Sequence, residues 1–322
     1  MAKILITGGA GFVGSSIAEE LLSKGEKVRI LDDFSTGRRQ NIETLRGDVE
    51  LIEGSIVNPE TVATAMKGIK VVFHQAAIPS VARSVANPQL SMSVGALGTT
   101  TVLDVARHSG VKRVVFAASS SAYGNTPTLP KIETMSPAPL SPYAVSKLTC
   151  EHMMRVAASL YGLETLSLRY FNVFGPRQDP ASEYAAVIPK FVTCAIRNQK
   201  PVVYGDGEQT RDFCFIANTV DANLRASTTS SKLTGQVVNV ACGDRISLNT
   251  LLTIIKEIAQ KEGCLPPGSD WGADYKETRA GDVRDSLADI NAAKELIGYA
   301  PIVRVREGLE KTFAAFLKFT SR

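Results

Sequence analysis

The sequence predicts an α/β protein, a doubly wound parallel sheet followed by a smaller C-terminal α/β lobe. Three observations predict it. Strand-like and helix-like segments alternate through the first half of the chain. The strand-like runs are continuously apolar and β-branched, as strands buried on both faces are. The length of 322 residues is about two units of ~150 residues.

Taken in order, Lys3–Thr7 reads as the first strand and Gly11–Lys24 as the first helix, with Val13, Ile17 and Leu21 on one face. Lys27–Asp32, Val49–Glu53, Val71–His74 and Arg113–Ala118 read as further strands, with helical patterns at Pro59–Met66 and Gly98–His108 between them. Residues 141–161 read as one long helix. Ser141 can cap it, Pro142 suits its first turn, Val145, Leu148, Val156 and Leu160 recur at helical spacing, and Gly162 ends it. Leu163–Tyr170 gives another strand. Beyond Gly175-Pro176 helical patterns at 186–198, 248–262 and 306–319 are separated by Gly- and Pro-rich loops, and Val237–Ala241 is an apolar strand able to return to the sheet. These patterns set the expected units at 1–172, with the return strand near 237–241, and 173–322. Trp271, alone in a Gly-rich loop, carries no assignable role.

Composition narrows the function classes. Hydrophobic residues are 44% and charged residues 21%, which excludes a disordered chain, a collagen or a coiled coil. No apolar run approaches the ~20 residues of a membrane span. The chain enters its first strand at Lys3 with no signal peptide expected before it. The net charge of +4 is spread without basic blocks, so no nucleic-acid partner is expected. Five widely spaced cysteines read as reduced thiols of a cytoplasmic protein, with Cys150 a core residue. The three histidines lack ligand spacing, so no metal site is expected.

Gly8-Gly9-Ala10-Gly11-Phe12-Val13-Gly14 joins the first strand to the first helix. Glycines there let backbone approach a pyrophosphate, which the helix N-terminus stabilises. Asp32-Asp33 closes the second strand, Asp32 standing eighteen residues past Gly14. A carboxylate there accepts hydrogen bonds from an adenosine ribose and repels a 2′-phosphate, favouring NAD over NADP. Arg38 and Arg39 argue the other way, since an arginine can hold that phosphate.

Tyr143 and Lys147, four residues apart, share a face of the 141–161 helix. A free tyrosine has a pKa of ~10 and is a poor base at neutral pH. An ammonium beside it, or a positive nicotinamide ring, favours phenolate and makes a usable proton-transfer group. Ser119-Ser120-Ser121 follows the strand at Arg113–Ala118, at the carboxyl end where such sheets bind ligands. A hydroxyl there can hydrogen-bond the substrate oxygen, and Ser119 is the candidate catalytic serine beside Tyr143 and Lys147, with Ser120 and Ser121 as neighbours able to share the task.

On these motifs the chain resembles the extended short-chain dehydrogenase/reductase family, within it the NAD-dependent UDP-sugar 4-epimerases, and most of all the UDP-N-acetylglucosamine branch. The resemblance spans nearly the whole chain: T-G-G-A-G-F-V-G at the start, S-S-S-A-Y-G at 119–124, S-P-Y-A-V-S-K at 141–147, R-Y-F-N-V-F-G-P at 169–176, R-D-F at 211–213 and R-A-G-D-V-R-D-S at 279–286. It implies a Rossmann sheet carrying NAD in 1–172 and a UDP-sugar lobe in 173–322. It implies that Gly8, Gly11, Phe12, Val13, Gly14, Asp32, Asp33, Ser35, Gly37, Ser55, Ile56, Gln75, Ala76 and Ala77 contact NAD, together with Tyr143 and Lys147. It implies that Asn172, Ala186, Val187, Tyr204, Arg211, Arg279 and Asp282 hold the UDP-sugar, with Ser119, Ser120, Ser121 and Tyr143 at the sugar. Two arginines suit a diphosphate. Read alone, Arg211 and Arg279 are equally ordinary surface ion-pairing residues.

Ser55 stands where the family usually has Asp, and Gly95 where it usually has Asn, so both bear on how tightly NAD is retained. Ser286, seven residues after Arg279, falls where the family has a size gate that is usually Tyr, which implies room for an N-acetyl group. The implied activity is C4 epimerisation of a UDP-hexose, with a homodimer as the implied assembly. Two rivals stay open. A 4,6-dehydratase or decarboxylase of the same family is one, although a dehydratase resembles Thr-Asp-Glu where this chain has three serines. A non-catalytic NAD-binding sensor is the other.

Overall fold

The computed structural model describes residues 2–179, 186–278 and 284–320. Its centre is a seven-stranded sheet of β1 (Ile4–Thr7), β2 (Val28–Asp32), β3 (Val49–Glu53), β4 (Val71–His74), β5 (Arg113–Ser119), β6 (Glu164–Tyr170) and β7 (Gln236–Val240). The spatial order is β7-β6-β5-β4-β1-β2-β3, and every pairing is parallel. Chain order reverses between β1 and β4, which opens a crevice at their carboxyl ends. The register aligns those ends: Thr7 lies beside His74, and Ser119 beside Tyr170.

Alternation along the strands supplies two cores. Ile6, Ile30, Phe73, Val115 and Leu166 join one, and Leu5, Leu31, Val72, Val114 and Phe116 join the other. Helices α1 (Phe12–Ser23), α2 (Arg39–Glu43), α3 (Pro59–Met66) and α4 (Gly98–His108) lie between the early strands. Next comes α5 (Pro142–Tyr161), whose Ser141 Oγ accepts a hydrogen bond from Ala144 N (3.1 Å) and which ends at a left-handed Gly162. The expected strand at 237–241 does return to the sheet, beside β6.

Helix α6 (Val187–Ile196) precedes α7 (Ile216–Thr228), which the sequence pattern did not disclose. The reason is visible in what α7 buries. Asn218, Thr219 and Asn223 are all fully buried, so polar residues occupy its inner face and mask the apolar period. Asn218 holds its place with side-chain bonds to the backbone of residues 302 and 303, and α7 packs on α1. The chain closes with α8 (Leu248–Lys261), α9 (Asn291–Ile297) and α10 (Val305–Thr320). Trp271, given no role from sequence, is buried, and its Nε1 donates to Gln199 O (2.8 Å).

The apolar stripe of α5 does not face the sheet. Val145, Val156 and Leu160 are exposed, while Ala144, Lys147, Cys150, Glu151, Met154 and Ala157 form the inner face. Among the described residues, no helix is long and apolar enough to cross a membrane.

Candidate active site

The crevice at the β1 and β4 carboxyl ends is a cavity of about 240 Å³. Gly8, Gly11, Phe12, Val13 and Gly14 line it from the first turn. Asp32, Asp33, Ser35 and Gly37 line it beyond β2, Ile56 beyond β3, and Gln75, Ala76 and Ala77 beyond β4. Tyr143 and Lys147 reach it from α5.

Ser55 is the exception. It is not among the lining residues, although Gly54 and Ile56 on either side are. Its hydroxyl accepts from Val57 N (3.4 Å), which turns it into its own loop.

The glycines divide their work. A Cβ on Gly8 would sit 2.6 Å from Ala76 N, and one on Gly14 would sit 2.2 Å from Gly8 O, so these two permit the close packing of turn, helix and β4. A Cβ on Gly11 would meet only Gly8 O, at 3.2 Å, leaving its outer side open to a ligand. That open backbone at a helix N-terminus fits a dinucleotide pyrophosphate.

Asp32 is buried, and both its oxygens accept backbone amides, Ala10 N and Phe34 N, each at 2.8 Å. Burial pushes its carboxyl up, and the two amides pull it down. Asp33 is exposed and accepts from both the amide and the hydroxyl of Ser35. The two arginines that argued for NADP are engaged elsewhere. Arg39 grips Glu53 (2.7 Å) and covers the Phe34 ring (4.1 Å to its centroid), while Arg38 bonds Gln40 and faces Asp179 at 3.8 Å.

Beneath the turn, Thr7 Oγ1 meets His74 Nδ1 (2.7 Å), and His74 Nε2 meets Thr99 Oγ1 (2.9 Å). Burial pulls His74 down to about 3, so this relay is neutral.

Ser119 ends β5, and its hydroxyl accepts from Ser121 N (3.2 Å) and Ser121 Oγ (2.8 Å). Burial pushes the Tyr143 phenol up, and a hydrogen bond with Ser119 pulls it down. Ser119 is therefore the serine of the triplet that meets Tyr143. The Lys147 amine donates to Ala117 O (2.7 Å) and lies 5.9 Å from the Tyr143 ring centroid. The expected lowering of Tyr143 by Lys147 is not seen, because the amine is drawn to a strand carbonyl and burial dominates the phenol. Burial also pulls Lys147 down, to about 8.

The substrate residues expected from the sequence are more dispersed. Asn172 adopts a left-handed backbone (φ 30°), and its Nδ2 donates to Asp212 O (3.0 Å) and Ser286 Oγ (3.3 Å). Asn172 and Ser286, 114 residues apart, are thus in contact. Ala186 caps α6 and Val187 opens it. Tyr204 ends a short strand paired with Asp274–Lys276, and Arg211 Nη1 donates to Thr210 O and Arg284 O, each at 2.9 Å. Arg279 and Asp282 lie outside the described residues.

Tyr170 lines the crevice and was not picked out in the sequence. Its hydroxyl donates to Gln75 Oε1 (3.2 Å) and accepts from Asn223 Nδ2 (2.8 Å), which fixes Gln75. Its place two residues before Asn172 was the available signal. A larger cavity of about 990 Å³ lies between α1, the turn at 176–179 and α7, but none of these site residues lines it. Chemistry rather than size locates the site.

A model of the NAD dependent epimerase/dehydratase family matches residues 4–241. A putative UDP-glucose 4-epimerase of Methanocaldococcus jannaschii is 37% identical over 310 residues, 96% of each chain. A UDP-N-acetyl-alpha-D-glucosaminuronate decarboxylase of Bacillus cytotoxicus is 31% identical over 98% of this chain and 97% of its own. The solved UDP-N-acetylglucosamine 4-epimerase of Methanobrevibacter ruminantium, in complex with UDP-N-acetylmuramic acid, superposes with a TM-score of 0.90 at 34% identity over 99% of both chains. Likeness of that extent makes this chain a member of the NAD-dependent epimerase/dehydratase family, with NAD as its cofactor.

Proposed function

We propose that the protein is a UDP-hexose 4-epimerase that interconverts UDP-N-acetylglucosamine and UDP-N-acetylgalactosamine, and accepts UDP-glucose and UDP-galactose. The observation that carries this reading is the hydrogen bond of Ser119 with Tyr143, which lines the cofactor crevice together with Lys147.

Gly11 and the start of α1 hold the pyrophosphate, and Asp32 and Asp33 hold the adenosine ribose. Bound NAD supplies reversible hydride transfer and a positive ring. Tyr143 takes the proton from the sugar 4-hydroxyl, which Ser119 orients. Lys147 holds the nicotinamide ribose, and the positive ring favours the phenolate. Arg211 and Arg279 would anchor the diphosphate while the 4-keto sugar turns over, and Tyr143 would return its proton to the 4-oxygen as the hydride is restored to the opposite face of C4. Residues 1–172 with β7 form the cofactor unit, and 173–322 mainly the sugar unit.

The N-acetyl preference rests on Ser286, a small residue in contact with Asn172. The exposed stripe of Val145, Val156 and Leu160 on α5 supports a homodimer, and the free cysteines a cytoplasmic location.

Incubation with UDP-N-acetylglucosamine and UDP-glucose, with products read by NMR, tests the reading. Configuration at C4 should change with no lasting absorbance in the reduced-nicotinamide band. Release of CO₂ from a UDP-uronic acid, with neither hexose converted, would show a decarboxylase instead.

A further inference from the structure

Helix α5 sets Tyr143, Lys147 and Glu151 at successive i, i+4 steps on its inner face. Lys147 and Glu151 are 4% and 3% exposed. Among the described residues, Lys147 Nζ makes one hydrogen bond, to Ala117 O, and no ion pair. Glu151 is gripped by Arg169 of β6 through two bonds, Nε to Oε1 (2.9 Å) and Nη2 to Oε2 (2.7 Å), with both side chains 4% exposed. Arg169 also covers the Tyr123 ring (4.6 Å to its centroid), and its buried Nη1 has no partner.

Burying two ions costs several kcal/mol each, and a packed apolar pair is often as stable. Left bare, the Arg169 guanidinium would also weigh against the ammonium of Lys147, one turn from Glu151 along α5. Phe116 of β5 lies 4.8 Å from the Lys147 amine, and His74 of β4 is neutral. On its own helix stand Tyr143, Cys150 and Glu151, and Arg169 on β6 is the cation behind them. Cys150 is itself buried, with its thiol on Gly95 O (3.3 Å) and Thr99 Oγ1 (3.2 Å). Burial disfavours the Lys147 ammonium, and Cys150 and then Glu151 oppose that loss.

We propose that Glu151 is a positioning residue: paired with Arg169, it cancels that buried guanidinium, which left bare would drive the proton from Lys147. The inference rests on the epimerase reading, in which charged Lys147 holds the nicotinamide ribose. Glu151 acts by cancelling Arg169, so losing Glu151 alone leaves a bare guanidinium behind Lys147, and losing both charges restores neutrality.

The test is an NMR titration of ¹³Cε-labelled lysine in the full-length protein, run beside the pH profile of kcat. Glu151→Gln preserves shape and one acceptor for Arg169. It should lower the Lys147 midpoint by about one unit, the low end of the ~1–3 units a close charge produces. The alkaline limb of kcat should move down with it, since activity falls as Lys147 loses its proton. The double variant Glu151→Gln, Arg169→Gln should return the midpoint to within a few tenths of the parent. An unmoved midpoint in Glu151→Gln, or one equally moved in the double variant, overturns the proposal.

Should Glu151→Gln not fold, Glu151→Asp carries the test. It keeps the charge, so the limb should stay even if kcat falls, and a shifted limb overturns the proposal. Lys147→Met separates the two ideas. If it stays fully active, the epimerase reading fails, whereas an inactive Lys147→Met beside an unmoved Glu151→Gln midpoint fails this inference alone.

Discussion

The cofactor crevice and the sugar wall are built in opposite ways. The crevice takes its residues from the carboxyl ends of strands that the sheet itself aligns. Thr7, His74 and the turns that follow them meet because β1 pairs with β4. The proposed sugar wall has no such frame. Asn172, Arg211 and Ser286 come from separated segments, with Asn172 bonded to the Asp212 backbone carbonyl and to Ser286. The Asp212 carboxylate is fully buried and accepts from Cys242 N (2.9 Å), Gly243 N (3.1 Å) and Ala288 N (3.2 Å). Burial pushes it up to about 7 against the pull of those three amides. A repeated backbone geometry holds the first region, whereas beside the second the Asp212 carboxylate pins the backbone at 242, 243 and 288.

The largest expected effect sits in the crevice. Tyr143→Phe keeps the ring and removes the proton acceptor, and general acid–base groups contribute ~10²–10⁴-fold to rate. Turnover should fall in that range with NAD content unchanged, as read by denaturing the protein and quantifying released dinucleotide. Activity within twofold of the parent sinks Tyr143 as the base.

Asp212→Asn should damage the other region. It swaps an acceptor for an NH₂ that faces amide donors, and each bond to a charged group is worth ~1.5–3 kcal/mol. Thermal stability should drop and KM for the nucleotide sugar should rise, while NAD content holds. Equal loss of NAD and sugar binding would mean that the two regions are one mechanical unit.

Gly14→Ala is the converse. Its Cβ falls 2.2 Å from Gly8 O, and overpacking typically costs ~1–3 kcal/mol. NAD content should fall before sugar affinity does, measured on the same preparation by dinucleotide release and by sugar titration.

This contrast also explains what could be read from sequence. The crevice was legible because its signals are local: a glycine turn after a strand, an acid at a strand end, tyrosine and lysine one turn apart. Among the residues expected at NAD, Ser55 alone does not line the crevice, its hydroxyl accepting from Val57 N. Helix α7 was illegible because Asn218, Thr219 and Asn223 fill its buried side, and with it went the role of Tyr170, whose hydroxyl α7 holds. The outward stripe of α5 had the right period and the wrong implied direction, since spacing fixes a face but not what covers it. The Asn172–Ser286 contact could be suspected only through family resemblance. No local pattern encodes a bond across 114 residues.

The smallest expected effect tests that long-range contact. Ser286 meets Asn172 through a hydroxyl, and on the proposed reading this pair borders the sugar. Tyrosine at 286 would add a phenol ring where an N-acetyl group on C2 has to sit. A sugar with a plain C2 hydroxyl lacks that bulk and should still fit. Pocket contacts of this size discriminate by ~1–3 kcal/mol, about 10–200-fold. Ser286→Tyr should therefore lower kcat/KM for UDP-N-acetylglucosamine by at least about tenfold while changing that for UDP-galactose by less than about threefold. NAD content should stay at the parent level, because the crevice is built without this loop. Competition between the two sugars in one tube, read by NMR, gives the ratio directly and cancels differences in active fraction. If both sugars suffer alike, position 286 supports the wall without facing C2, and the N-acetyl preference loses its physical basis. If NAD is lost as well, the sugar wall and the crevice are coupled more tightly than their separate construction implies.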